Sequence, residues 1–235
     1  MANILLIETS AEICSVAVEC DGKIIDLQMS DNAMQHATHL PLYVESAMKL
    51  LKEKNIKLDA VAVSAGPGSY TGLRIGVSTA KGLCYAIGCQ LIALDTLKVM
   101  AFGFKQTNQA NTIICPVIDA RRMEIYTAMY DSNLNELSPA EAKIIDENSF
   151  ADINQPICFC GSGAEKMSKV ITNPNAQFNT TLKPTANFMV DLAEEAYRNG
   201  KFEDVAYYEP FYLKEFYSPQ KKLKSANNYS LLTTN

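Results

Sequence analysis

One stretch constrains this chain more than any other: residues 61–93, VAVSAGPGSYTGLRIGVSTAKGLCYAIGCQLIA. It reads as strand, glycine turn, helix, turn and strand. Residues 60–64 are a short apolar run, suited to a strand buried on both faces. Gly66-Pro67-Gly68-Ser69 breaks it. Glycine permits positive φ and close backbone approach, and proline fixes its own φ. Thr71 is the expected N-cap of a helix running to about residue 87, with Gly88 as its C′ residue. Each of Gly72, Gly76 and Gly82 costs that helix about 0.5–1 kcal/mol relative to alanine. Something must therefore come very close to it: another helix, or a ligand.

The turn admits two readings. Backbone N–H groups at a helix N-terminus bind anions, and Arg74 lies one turn in. Yet GPGSYTG fits neither G-x-x-x-x-G-K-[ST] nor G-x-G-x-x-G, so a tight turn with a closely packed helix explains it equally well. GPGSYTGLRIGVSTAKGLCYA resembles the signature of the TsaB (YeaZ) family, and is similar to the GPG…GVSVAKGLAYA segment of that family's larger paralogue, TsaD. The N-terminal ILLIETSAEICSVAV matches both. The resemblance implies an α/β fold of the ASKHA (actin-like ATPase, ribonuclease H-like) type, two lobes with mixed sheets. It also implies work on N6-threonylcarbamoyladenosine next to the anticodon of tRNA.

The whole chain sets limits on this. Its 235 residues, 48% of them hydrophobic, suffice for one large domain or two small ones. A net charge of −5 makes the surface as a whole a poor attractor of nucleic acid. The seven cysteines are odd in number and show no metal spacing. Cys158-x-Cys160 lies in an apolar run and reads as core. A reducing cytoplasm is the expected compartment. No signal peptide is read at the N-terminus, and no apolar run approaches the roughly 18 residues of a membrane span.

Along the chain, Ile4, Leu5, Leu6 and Ile7 form a central strand ending in Glu8-Thr9-Ser10. Residues 13–20 and 23–29 are two more strands, joined by the hairpin turn Asp21-Gly22. In actin-like folds the first of these turns approaches nucleotide phosphates, so Thr9 and Ser10 join Gly66 and Gly68 as candidate nucleotide contacts. Taken by themselves residues 8–11 read better as a plain polar hairpin, and Glu8 stands where the fold usually has Asp. Thr38 is the expected cap of a helix over residues 39–55, with Leu40, Val44, Ala47, Met48 and Leu51 three or four apart. His36 and His39, the only histidines, lack a third ligand and read as a surface or interface pair.

The sequence departs from TsaD at Thr96 and Met100, where that paralogue carries the H-x-x-x-H pair that holds its metal. Threonine and methionine are poor ligands for a hard or borderline cation, so no metal site and no catalytic residue are expected. A second half begins near Thr112, with strands over 113–118 and 124–130 and a loop over 134–139. DARRMEIY is similar to the family's D-A-R-x-x-E-x-Y segment; Asp119, Arg121 and Glu124 read as an ion-pair set or an interface. Gly161-Ser162-Gly163 resembles the glycine turn that lies under adenosine in ASKHA proteins. Residues 187–199 read as an amphipathic helix closed by Gly200. The expected division is 1–105 for the first lobe, 106–218 for the second, and 219–235 for a mobile, lysine-bearing tail.

The leading expectation is a non-catalytic scaffold that dimerises and holds a TsaD-like paralogue. Its further partners would be a TsaE-like ATPase and, through the complex, tRNA. No cofactor is required, although ATP or ADP is a candidate ligand at the partner interface. The interface expected is Leu40, Val44 and Met48 on one helix, and Gly72, Gly76 and Thr79 on the other. The alternatives are an actin-like ATPase or small-molecule kinase, and an M22-type glycopeptidase.

Overall fold

The computed structural model describes residues 2–30, 35–106 and 111–214; the tail 219–235 lies outside the described residues. The first half holds β1 (Asn3–Glu8), β2 (Ser15–Cys20), β3 (Lys23–Met29), α1 (His36–Glu53), β4 (Ala60–Ser64), α2 (Tyr70–Ile87), β5 (Gln90–Leu94) and α3 (Thr96–Lys105). The second holds β6 (Ile113–Asp119), β7 (Glu124–Tyr130), β8 (Glu136–Ile144), β9 (Ile157–Cys160), a short α4 (Ala164–Met167), β10 (Ala176–Asn179), a 3-10 turn (Ala186–Met189) and α5 (Val190–Arg198).

Each half builds one five-stranded mixed sheet, in the orders β3-β2-β1-β4-β5 and β10-β9-β6-β7-β8. Read from its third strand, the second sheet runs β8-β7-β6-β9-β10, so the two halves repeat one topology. In each, two hairpins give antiparallel pairs and two crossovers give parallel ones. β4 is buried at every residue, as expected of a strand with helices on both faces. On one face Val61 and Val63 meet Leu40, Val44, Val77 and Ala80. On the other, Ala60 and Ala62 meet Met189, Val190 and Ala193.

That second contact revises the expected division. The first sheet ends at β5 and the second begins at β6, and the 3-10 turn and α5, placed in the second lobe by sequence, pack on the first sheet. Their apolar side finds uncovered surface there, because α1 and α2 occupy only one face. The chain then runs back along the first sheet: Glu203 bridges to Leu91, and Phe211 N donates to Ala65 O at 2.8 Å.

Other expectations also change. α2 is capped by Ser69, whose hydroxyl accepts from Gly72 N, rather than by Thr71. α1 begins at His36 after Gln35, with no side-chain cap, so Thr38 lies inside the helix. Residues 134–139, read as a loop, run into β8, where half-buried Ser138, Ala140 and Ala142 alternate with exposed Leu137, Pro139 and Glu141 on an edge strand. The largest change concerns α2. Gly72 and Gly76, expected to face outward toward a partner, are buried. A Cβ on Gly72 would overlap Thr9 O, and one on Gly76 would overlap Thr9 Oγ1. What comes close to this helix is the chain's own turn between β1 and β2. Gly82 does face open space.

Candidate functional site

The four candidate nucleotide contacts are brought together, but their polar groups are spent on neighbouring residues of the chain. Thr9 and Ser10 are wholly buried. Thr9 Oγ1 donates to Gly72 O at 2.8 Å, and Ser69 N donates to Ser10 O at 2.7 Å. Ser10 N and Oγ both donate to Glu8 Oε1, at 2.6 and 2.5 Å. Gly68 packs directly on Ser10, where a Cβ would overlap Ser10 O. Gly66, at φ +111°, lies under the backbone of Phe211. Gly66 N donates to Thr96 Oγ1 at 3.2 Å, and Thr96 N to Gly66 O at 2.9 Å. The turn that would cradle a phosphate is filled by this chain.

Glu8 has no solvent exposure, and among the described residues its Oε2 has no hydrogen-bond partner. Burial pushes its carboxyl above the usual carboxylate range, against the hydrogen bonds from Ser10. It braces the β1–β2 turn and does not reach the cleft.

The two positions where TsaD carries its histidine pair are equally committed. Thr96 is fully buried and tied to Gly66. Met100 is 1% exposed and belongs to the core between α3 and the second sheet. Its terminal methyl occupies the space a side chain at Gly161 would need. This donor set does not fit a divalent cation. Among the described residues, no group of three or more His, Cys, Asp or Glu could hold one.

A cavity of about 230 Å³ remains between the halves, lined by Ala11, Glu12, Met100, Ile118, Ser162 and Lys183 among others. Glu12 and Lys183 span it with a 3.0 Å ion pair. It is smaller than the roughly 300 Å³ at which small-molecule sites begin.

The β6–β7 turn holds a group that sequence reading placed only in part. Lys166 Nζ meets Asp119 Oδ1 at 2.6 Å, Arg122 O at 3.0 Å and Glu124 O at 2.5 Å. Lys214 pairs with Glu124 at 2.6 Å. Among the described residues Arg121 forms no ion pair; its backbone N donates to Asp119 Oδ1 at 2.7 Å. Lys166 is 44 residues from Arg122 along the chain, so no local pattern announces it. His36 is buried, and burial holds its pKa below the usual imidazole value. His39 stacks on Tyr43 with centroids 5.6 Å apart.

Of the six expected interface residues, Leu40, Val44, Gly72 and Gly76 are buried in the molecule's own interior. They cannot form an outer surface, because the apolar stripe of α1 is consumed by β2 and β3 and that of α2 by β4, β5 and β1. Met48 and Thr79 are partly exposed. The open sides of α1 and α2 instead carry Leu42 (57% exposed), Tyr85 (86%) and Gly82. The 3.6-residue period could have assigned these, had the close approach of Thr9 been foreseen.

Residues 30–216 match the family model for TsaD, the tRNA N6-adenosine threonylcarbamoyltransferase. The tRNA threonylcarbamoyladenosine biosynthesis protein TsaB of Escherichia coli (strain K12) is 28% identical over 225 residues, covering 90% of this chain and 94% of that protein. Its namesake from Buchnera aphidicola subsp. Acyrthosiphon pisum is 32% identical over 156 residues, 63% of this chain and 69% of that one. The solved structure of YeaZ from Pseudomonas aeruginosa superposes with a TM-score of 0.76 at 26% identity, over 91% of this chain and all of that one. These neighbours share the two-lobed actin-like architecture described above. Motif, fold and relatives agree, and the chain belongs to the tRNA N6-adenosine threonylcarbamoyltransferase family, as a TsaB (YeaZ) member.

Proposed function

We propose that this chain is a non-catalytic subunit in the formation of N6-threonylcarbamoyladenosine on tRNA, and that it works by holding a TsaD-like paralogue. One observation carries the reading: Thr96 and Met100 stand at the positions of the catalytic histidines and are both consumed in packing. The names of its relatives support the process. The filled β1–β2 and β4–α2 turns argue against independent ATPase or kinase activity, and no residue set favours a glycopeptidase. The chain needs no cofactor of its own; ATP or ADP would act at the partner interface. A second copy of the chain and a TsaE-like ATPase are further partners, and tRNA is reached through the complex.

The docking face is the open side of α1 and α2: Leu42, Met48, Thr79, Gly82 and Tyr85. Gly82 permits close backbone approach, and Tyr85 offers a large anchor of the kind that dominates interfaces. The test is co-purification with the TsaD homologue of the same cell, together with ATP turnover of the chain alone and of the pair. Leu42→Ala with Tyr85→Ala should weaken association about tenfold or more, each 1.4 kcal/mol being tenfold, and leave the fold intact. Unchanged association would move the interface elsewhere, and robust turnover by the isolated chain would overturn the non-catalytic assignment.

A further inference from the structure

Four arginines occur in the chain. Arg74 Nη1 donates to Tyr70 Oη at 2.6 Å, and Arg198 Nε donates to Glu194 O at 3.3 Å. The other two stand side by side in the β6–β7 turn, and both are exposed. Among the described residues, neither the Arg121 nor the Arg122 guanidinium makes a hydrogen bond or an ion pair. Their backbone is unusual as well. Arg121 takes φ +71° and Arg122 takes φ +50°, a region that disfavours large side chains and that glycine enters freely. The turn is held in this shape from beneath. Asp119 Oδ1 accepts from Arg121 N at 2.7 Å and from Lys166 Nζ at 2.6 Å, and Lys166 also donates to Arg122 O at 3.0 Å.

The charges of the turn do not cancel. Each of its carboxylates has a lysine of its own: Asp119 has Lys166, and Glu124 has Lys214. The two arginines are left over, a local excess of positive charge on a chain whose net charge is −5. The sequence beyond Lys214 adds to that excess, with Lys221, Lys222 and Lys224 against Glu215 alone and no apolar periodicity.

We propose that the Arg121–Arg122 turn is a contact for the phosphate backbone of RNA, through which this chain touches tRNA directly. The inference rests on the reading above, that the chain serves a complex acting on tRNA. A guanidinium presents a planar fork of donors that matches phosphate oxygens. A turn already clamped by Lys166 loses little freedom on binding. Contacts of this kind position the RNA and read no sequence. On a chain of net negative charge they are weak alone, and they count once a partner holds the tRNA in place. An acidic protein surface is the competing occupant. The excess charge continues into a polar, lysine-bearing sequence, which suits a run of phosphates better than a folded protein surface.

The test uses the full chain co-purified with the TsaD homologue of the same cell. Binding of transcribed tRNA is followed by fluorescence anisotropy from about 50 to about 200 mM salt. Arg121→Gln with Arg122→Gln should leave the protein complex intact on sizing and weaken tRNA binding about tenfold or more. It should also make the slope of log affinity against log salt shallower by about 1.4–1.8, the share of two phosphate contacts. Arg121→Lys with Arg122→Lys keeps the charge and should keep the slope. Arg121→Gly with Arg122→Gly should lose tRNA binding as the Gln pair does without lowering the urea midpoint, because glycine suits this backbone. A midpoint that falls together with binding would make the arginines structural and overturn the inference. Unchanged tRNA affinity and slope in the Gln pair overturn it too, and leave the scaffold reading standing. So does loss of the paralogue with unchanged tRNA affinity in the complex that remains, which would put a protein on this turn. If the wild-type chain does not bind the paralogue, the scaffold reading fails by itself, and the same titration is run on the chain alone at about 50 mM salt. There, RNA binding that ignores the two arginines, or no RNA binding, overturns the inference.

Discussion

At residue 76 a hydrogen in place of a methyl group decides whether α2 can reach β1. Gly72 and Gly76 receive the Thr9 carbonyl and hydroxyl, and the space for a Cβ is already taken. Gly76→Ala should destabilise the protein by about 1–3 kcal/mol, the usual cost of overpacking, read as a lower urea midpoint. Gly82→Ala is the control from the same helix. Nothing lies within 4 Å of the added Cβ, so it should stabilise by about 0.5–1 kcal/mol. A second residue-scale effect belongs to Glu19. It is fully buried, accepts from Gly22 N at 2.6 Å through Oε1, and lies beside the Glu194 carboxylate. Burial, with the nearby Glu194 carboxylate and Asp21 adding to it, pushes Glu19 up to about 7. The folded state then holds a proton that the unfolded chain, titrating near 4.5, has lost. Stability should therefore fall as pH rises from about 4.5 to about 7, by at most ~1.4 kcal/mol per pH unit. Glu19→Gln should flatten that slope in urea titrations across the window.

Among the elements, α5 departs furthest from its place in the sequence. Met189 and Ala193 are fully buried against Ile4, Ala60, Ala62 and Ile92 of the first sheet. Without this cover, the face of that sheet opposite α1 and α2 would lie open to water. Met189→Ala should cost about 2–5 kcal/mol, as methionine truncations in cores do. The loss should appear as a single earlier thermal transition and not as selective melting of the second half. A separate early transition that leaves the first sheet intact would contradict the packing. The α2–β4 unit, by contrast, behaves as its residues suggest. Leu73, Val77, Ala80 and Cys84 cover the sheet, because they recur at helical spacing beside a strand of β-branched and small residues.

On the scale of the molecule, two copies of one five-strand topology are joined into one body by α3 and by the crossing of α5. α3 contributes Leu97 and Met100 to the core against β6 and β9. Thr96 and Met100 serve as internal packing. Thr96 closes the Gly66 turn, and Met100 fills the space beside Gly161. The outer sides of α1 and α2 thereby become the surface on which a partner can act, through Leu42, Gly82 and Tyr85.

The sequence alone determined what is local. Strand and helix types, the Asp21-Gly22 hairpin, the Gly88 helix end and the opening three-strand order of the first half follow from period, turn chemistry and apolar runs over a few residues. At Thr96 and Met100 it also placed side chains that are poor ligands for a hard or borderline cation. Tertiary structure decided what depends on distant partners. The inward facing of Gly72 and Gly76 is set by Thr9, more than sixty residues away (Thr9 Oγ1 to Gly72 O, a separation of 63). The crossing of α5 is set by an uncovered sheet face, and the Lys166 cluster by a turn 44 residues upstream. A helical period tells which residues share a face. It does not tell what that face will meet, because close packing is a property of two surfaces and only one of them is written in any one segment.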